Sequence, residues 1–112
     1  MSAAYPDQAA LLTEHVEVAL DELARASGLP AEEIVELVEY GVFEPAGGTD
    51  PARVPVSSWR FSARYITLGQ RASRLKADFD LNLSGVALAL TYLERIEELE
   101  QELIRLHCER LR

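Results

Sequence analysis

The sequence predicts a small, mainly helical protein in which a winged helix-turn-helix precedes a long coiled-coil helix. Three observations support this fold class: two short amphipathic stretches joined at a glycine, a loop dense in glycine and proline, and a C-terminal stripe of apolar residues spaced by three and four. The length of 112 residues suffices for one domain. We expect an N-terminal arm over residues 1–13, a winged helix-turn-helix domain over 14–79 and a dimerisation helix over 80–112.

The helix-turn-helix is predicted from local periodicity and from turn residues. Apolar and polar residues alternate over 14–18, which is typical of a short half-buried strand. Gly28 is expected to supply the turn between two helices, the second of which has Pro30 at its first position and ends at Gly41. The inward faces of these helices are expected to consist of Leu20, Leu23, Ala24 and Ser27, and then of Ile34, Leu37 and Val38.

A small β-hairpin, the wing, is predicted around the glycine- and proline-rich loop. Residues 42–44 precede this loop, and residues 54–56 and 59–61 follow it; all three segments suit short strands. A third helix is expected after the hairpin, with Ser62 as its cap and Phe79 near its end.

The last helix is expected to run from about Gly85 to Leu111, with Ser84 as its cap. Its apolar stripe follows the heptad pattern of a coiled-coil seam, and the positions are Ala89, Tyr92, Ile96, Leu99, Leu103 and Leu106. A stripe of this length left in water is unusual on a soluble monomer, so the last five of these positions are predicted to form a two-fold, antiparallel dimer interface. The alternative is that this helix folds back on its own domain.

The residues offer no catalytic or metal-binding arrangement. His15 and His107 lie far apart in sequence, and the neighbouring Cys108 would point about 100° away from His107 on a helix. A single cysteine forms neither an internal disulfide nor a cysteine-based zinc site. We therefore predict that the protein is not an enzyme and has no cofactor and no metal. The chain also lacks an apolar run of about eighteen residues and a signal-peptide pattern, which favours the cytoplasm without membrane insertion.

Charge is distributed unevenly, and this distribution bears on the choice of partner. The net charge is −8, with eleven acids and two bases over residues 1–57. The second helix carries four glutamates and no base; Glu32, Glu36 and Glu39 share its outward face, and Tyr40 lies on a flank of that face. A DNA-binding recognition helix would meet phosphates there, so nucleic acid is an unfavourable partner. We predict that these four residues bind a basic protein surface.

Five bases against two acids over residues 58–80 are the feature that would favour DNA binding. They are Arg60, Arg64, Arg71, Arg74 and Lys76. Bases in such positions are more often salt-bridge partners of nearby acids.

The order of elements resembles the MerR-type winged-helix regulators, and particular segments are similar to one family within that group. The segments are Gly28-Leu29, Glu36 to Pro45, Trp59-Arg60-Phe61, Arg74 to Asn82 and Gly85 to Leu90. They resemble the chaperone modulator family called CbpM, over roughly residues 16–106. The chain departs from the family in its long wing loop and its leading arm.

The resemblance implies that the protein binds the J-domain of CbpA, a DnaJ-like co-chaperone. It further implies inhibition by occlusion, since the modulator would cover the basic surface with which the J-domain engages its Hsp70. Two alternatives remain open at the level of the sequence. One is a MerR-type transcription regulator with arginines on phosphates, and the other is a dimeric scaffold.

Overall fold

Four helices and a two-stranded antiparallel sheet form the part of the chain that the computed structural model describes, residues 16–48 and 50–111. The elements are β1 (Glu17–Ala19), α1 (Leu20–Ser27), α2 (Ala31–Glu39), β2 (Arg60–Ser62), α3 (Arg64–Phe79) and α4 (Leu83–Arg110). Two short 3-10 turns, Pro51–Arg53 and Val56–Ser58, lie between α2 and β2. The predicted arm over 1–13 and His15 lie outside the described residues.

The predicted helix-turn-helix is confirmed, because α1 and α2 flank a glycine turn. Gly28 adopts a φ of 81° and donates its N–H to the carbonyl of Ala24 at 3.0 Å. Gly41 adopts a φ of 80° just beyond α2, as expected for the residue that ends a helix. Pro30 differs by one position from the prediction, since it is the N-cap of α2 and Ala31 is the first helical residue.

The predicted hairpin pairing is wrong, because β2 pairs with β1 and not with residues 42–44. The register places Val18 opposite Phe61 in this antiparallel pair. The amides of Val42 and Phe43 both donate to the carbonyl of Leu37, so they terminate α2 and are not available for a β-ladder. Residues 54–56 are not a strand either.

Aromatic residues fill the centre of the core. Phe43 stacks on Tyr65 with ring centroids 5.0 Å apart, and Phe61 meets the same Tyr65 edge-on at 6.3 Å. Phe43 is buried in this core, and further along the same segment the N–H of Ala46 donates to the carbonyl of Arg60 in β2 at 2.6 Å. The remaining buried apolar residues are Leu23, Leu29, Ile34, Leu37, Trp59, Ala72, Val86, Ala87 and Leu90.

The cap of α4 is Asn82, and the prediction of Ser84 as cap is wrong. The Asn82 Oδ1 accepts a hydrogen bond from the N–H of Gly85 at 2.8 Å, and α4 begins at Leu83. The Ser84 hydroxyl instead donates to the same Oδ1 at 2.9 Å. A similar shift occurs at α3, where Ser62 lies in β2 and its Oγ accepts from the N–H of Arg64 at 3.3 Å.

Replacing Asn82 with Ala is expected to lower the free energy of unfolding by about 0.5–2 kcal/mol, because the first turn of α4 loses its side-chain acceptor. Replacing Ser84 with Ala is expected to cost less, since its hydroxyl caps no backbone N–H. Urea denaturation of both variants measures the difference. A larger loss for Ser84→Ala than for Asn82→Ala would contradict this assignment of the cap.

Candidate partner-binding surfaces

The outward face of α2 is acidic and exposed, as predicted. Glu32, Glu36 and Glu39 are all exposed, whereas Ile34 and Leu37 on the opposite side of the helix are fully buried. None of these three glutamates forms an ion pair with a residue in the described ranges. Three carboxylates on one helix face therefore remain available to a cationic partner. We call Glu32, Glu36 and Glu39 the acidic face.

The fourth glutamate of α2 has a different role. Glu33 is half-buried, and the Lys76 ammonium lies 2.5 Å and 2.7 Å from its two carboxylate oxygens. This ion pair joins the first turn of α2 to the last turn of α3. The ion pair fixes α2 to α3, so that the acidic face on the other side of α2 stays exposed. It also neutralises Glu33, the one glutamate of α2 that lies outside the acidic face.

Tyr40 lies at the C-cap of α2 and is 53% exposed. A half-exposed tyrosine next to carboxylates is a suitable anchor, because aromatic side chains provide contact area at low conformational cost. All four residues predicted to bind a partner thus lie at the surface of one helix.

The C-terminal part of α4 extends away from the domain. None of the described residues packs over its apolar stripe. Val86, Ala87 and Leu90 face the core near the start of the helix, whereas every residue from 94 to 111 is exposed. The predicted seam lies on the opposite side of the helix and is 42–66% exposed at Tyr92, Ile96, Leu99, Leu103 and Leu106. Within the described chain α4 does not fold back on its own domain.

Leu88 belongs to the same exposed side of α4, although the heptad pattern does not predict it as a seam residue. Leu88 is 58% exposed and precedes Tyr92 by one helical turn. The heptad register places Ala89 at the first seam position, and Ala89 is only half-buried by its own chain. The sequence does contain a signal for Leu88, namely its i, i+4 spacing to Tyr92 and then to Ile96. This spacing extends the apolar surface towards the domain.

Two of the five bases over residues 58–80 are ion-paired. Arg71 lies 2.8 Å from the Glu97 carboxylate on α4, and Lys76 pairs with Glu33 as described. Arg64 places its guanidinium 4.9 Å from the centre of the Tyr65 ring. Arg60, Arg64 and Arg74 have no carboxylate partner among the described residues.

The described residues contain no cluster of three or more metal-ligating side chains. Cys108 is a free, exposed thiol near the end of α4, next to the exposed His107. Within 16–48 and 50–111, none of the helices combines the length and the apolar character needed to cross a membrane.

Comparisons with known proteins agree on one family. Residues 18–107 match the family model described as "MerR HTH family regulatory protein". A "Chaperone modulatory protein CbpM" from Coxiella burnetii is 36% identical over 84 residues, which covers 75% of this chain and 74% of that protein. Proteins of the same name from Pseudomonas putida and Pseudomonas entomophila are each 32% identical over 87 residues, which covers 78% of this chain and 80% of theirs.

Proposed function

This chain belongs to the CbpM family of chaperone modulatory proteins, which has a MerR-like helix-turn-helix fold, and we propose that it modulates a co-chaperone by binding its J-domain. The observation that supports this proposal most directly is the acidic face, three exposed carboxylates of α2 without an ion pair in the described chain. A basic J-domain helix is complementary to such a face. Binding there would cover the surface of the J-domain that the Hsp70 needs, so the modulator would inhibit by occlusion, without a chemical step. We propose that this takes place in the cytoplasm.

Charged and apolar residues are expected to contribute to binding at this surface in different ways. Exposed charges act mainly on the association rate, and ordinary salt screens them beyond about 8–10 Å. Tyr40 supplies apolar contact area at the edge of the acidic face. We therefore expect the affinity for the J-domain to fall as salt rises without disappearing.

Reversing Glu32, Glu36 and Glu39 to Lys together is expected to abolish capture of the cognate J-domain, because a cationic partner then meets three positive charges. The fold is expected to persist, since all three side chains are exposed. Isothermal titration calorimetry measures binding, and circular dichroism checks the fold.

A matched control reverses three exposed carboxylates elsewhere, Glu17, Glu44 and Glu94, which also lack ion pairs in the described chain. It changes the net charge by the same amount and is expected to keep most of the affinity. A folded α2 variant with wild-type affinity would move the binding site to α4 or to its junction with α3. Equal losses in both variants would mean that net charge matters and the acidic face does not.

We further propose that the protein is a homodimer through the exposed stripe of α4. The stripe faces away from the domain to which it belongs, so two such helices can pair without displacing core contacts. A dimer would present two acidic faces, one on each protomer.

A MerR-type DNA-binding regulator is the second candidate. The match to a regulatory helix-turn-helix family favours it, as do Arg60, Arg64 and Arg74, which have no carboxylate partner in the described chain. Against it, the helix that would enter a DNA groove presents the acidic face to the phosphates.

Binding to duplex DNA is expected to be negligible at physiological salt. Non-specific DNA binding depends on neutralising phosphates, and the net charge of −8 opposes it. Gel shifts with random genomic fragments measure it. Retardation at submicromolar protein that weakens steeply with salt would support the regulator instead.

A further inference from the structure

The exposed apolar side of α4 has two definite ends. It begins at Leu88, close to the domain, and it continues along the seam to Leu106, near the end of the helix. Leu88 is 58% exposed and Leu106 is 44% exposed, so this surface is open over its whole length in a single chain. A partner that covers it has to present an apolar surface of about 27 Å, at a rise of about 1.5 Å per residue.

A second copy of α4 presents an apolar surface of that length when it is turned end for end. In one antiparallel register every seam residue faces a seam residue of the partner. The facing pairs are Ala89 with the partner's Leu106, Tyr92 with the partner's Leu103, and Ile96 with the partner's Leu99. Two-fold symmetry repeats each pair, so this register covers the whole seam. Leu88 then lies beside the last turns of the partner's helix.

A parallel pair suits this helix less well, because it places each seam residue opposite its own copy. Tyr92 would face the partner's Tyr92, the bulkiest pair in the seam, next to the smallest pair, Ala89 with the partner's Ala89. Arg110 continues the heptad spacing after Leu106 and would face the partner's Arg110. The antiparallel register places Arg110 opposite the partner's Gly85, where no side chain opposes it and its guanidinium can reach water.

Charged residues beside the seam favour the same antiparallel register. Arg95 and Glu102 each precede a seam residue by one position, so they lie on the same flank of α4. A two-fold axis perpendicular to the helices brings this flank of one helix against the same flank of the other. The register therefore places Arg95 beside the partner's Glu102, and symmetry forms this contact twice.

The ion pairs that Arg95 and Glu102 form within α4 leave both side chains available. Arg95 lies 3.1 Å from Glu98, and Glu102 lies 3.8 Å from Arg105. All four side chains are more than half exposed, and such surface pairs are weak. A guanidinium has five N–H donors, so Arg95 can bind a second carboxylate without releasing the first.

A shift of one heptad in either direction loses both the coverage and the charge pairing. In one direction Glu102 lies beside the partner's Glu102, and Ala89 has no seam residue opposite it. In the other direction Arg95 lies beside the partner's Arg95, and Leu106 passes beyond the partner's seam. Like charges across an interface repel, so apolar coverage and charge favour the same register.

We infer that α4 pairs with a second copy of this chain in this one antiparallel register, in which Arg95 of each protomer binds the partner's Glu102 and thereby sets the alignment of the two helices. The inference rests on the proposed homodimer and adds its orientation, its register and the residue pair that determines them. The two helix-turn-helix domains then lie at opposite ends of the coiled coil.

Disulfide trapping in the full chain tests the orientation and the register. Single-cysteine variants Ala89→Cys, Ile96→Cys and Leu106→Cys are made in a Cys108→Ser background and co-expressed in pairs, with a larger tag on one member. Ala89→Cys and Leu106→Cys are expected to cross-link to each other in a glutathione buffer. The control pair, Ile96→Cys with Leu106→Cys, is expected not to cross-link, because these positions face each other only after a shift of one heptad.

Charge reversal tests the role of the ion pair. Arg95→Glu and Glu102→Arg are each expected to raise the dissociation constant of the dimer at least about fivefold, because each creates two like-charged contacts. The double variant is expected to return to within about twofold of the wild type, since its charges are exchanged and again complementary. A parallel pair would show no such rescue, because there Arg95 lies beside the partner's Glu100.

The outcomes separate the register from the homodimer itself. A dimer in which Ala89→Cys cross-links to itself, in which the control pair cross-links, or in which the double variant is not rescued would overturn this register and leave the homodimer standing. A wild-type chain with the mass of a monomer in light scattering would overturn both.

Discussion

Replacing Leu99 with Asp is expected to convert the proposed homodimer into a monomer. Leu99 is the least exposed of the five stripe residues, at 42%, and it lies near the middle of the seam. Burying a leucine contributes about 1.5–3 kcal/mol, and an unpaired carboxylate in a dry interface costs more than that gain. Because the two-fold axis places the substitution in both protomers, each dimer suffers it twice.

Light scattering coupled to size exclusion at micromolar concentration measures the mass directly. Ile104→Asp is the matched control, because Ile104 is 64% exposed yet lies about 100° around the helix from the stripe position Leu103. This control is expected to keep the dimer mass. A dimeric Leu99→Asp variant, or a wild-type protein that is already a monomer, would exclude this interface.

Replacing Gly69 with Ala is expected to destabilise the fold although alanine favours helices. A Cβ at position 69 would lie 2.5 Å from the Cβ and 3.1 Å from the Oγ of Ser27, where α3 crosses α1. The backbone of α1 sets the position of the Ser27 Cβ, so the clash is relieved only if α1 and α3 move apart. Rotating the Ser27 hydroxyl away would also break its buried hydrogen bond to the carbonyl of Leu23 at 2.6 Å. Overpacking of this kind costs about 1–3 kcal/mol and acts against a gain of about 1 kcal/mol from helix propensity.

Thermal and urea denaturation of four proteins tests this contact: the wild type, Gly69→Ala, Ser27→Gly and the double variant. The Ser27→Gly change removes the side chain that the new methyl group would meet. The double variant is therefore expected to lose less free energy of unfolding than the two single variants lose together. Additive losses would show that the cost at position 69 has another origin.

The helices and the acidic face could be predicted from the sequence because both depend on local spacing. The turn at Gly28 and the end of α2 at Gly41 follow from the freedom of glycine at positive φ. The separation of Glu32 and Glu36 from Ile34 follows from the helical period alone, since residues two positions apart point in nearly opposite directions. These properties require no knowledge of which elements pack together.

Sheet pairing was decided only by the tertiary structure. Segments 42–44 and 17–19 both suit short strands, and the choice between them as the partner of β2 depends on contacts far apart in sequence. Burial of Phe43 against Tyr65, together with the bonds from its segment to Leu37, removes one candidate. Such contacts follow from how the core closes, and no local pattern contains that information.

The roles of individual charges and caps also depended on distant or competing partners. Among four glutamates on α2, only the tertiary structure shows that Glu33 pairs with Lys76, because the two residues are 43 positions apart. Asn82 and Ser84 are both good N-cap residues. Asn82 is the cap because the backbone between α3 and α4 is extended at this residue and becomes helical at Leu83. The sequence by itself therefore determined which helices form and which faces are apolar or acidic. Sheet pairing, helix capping and the Glu33–Lys76 ion pair are properties of the folded chain, since they arise where separate elements meet.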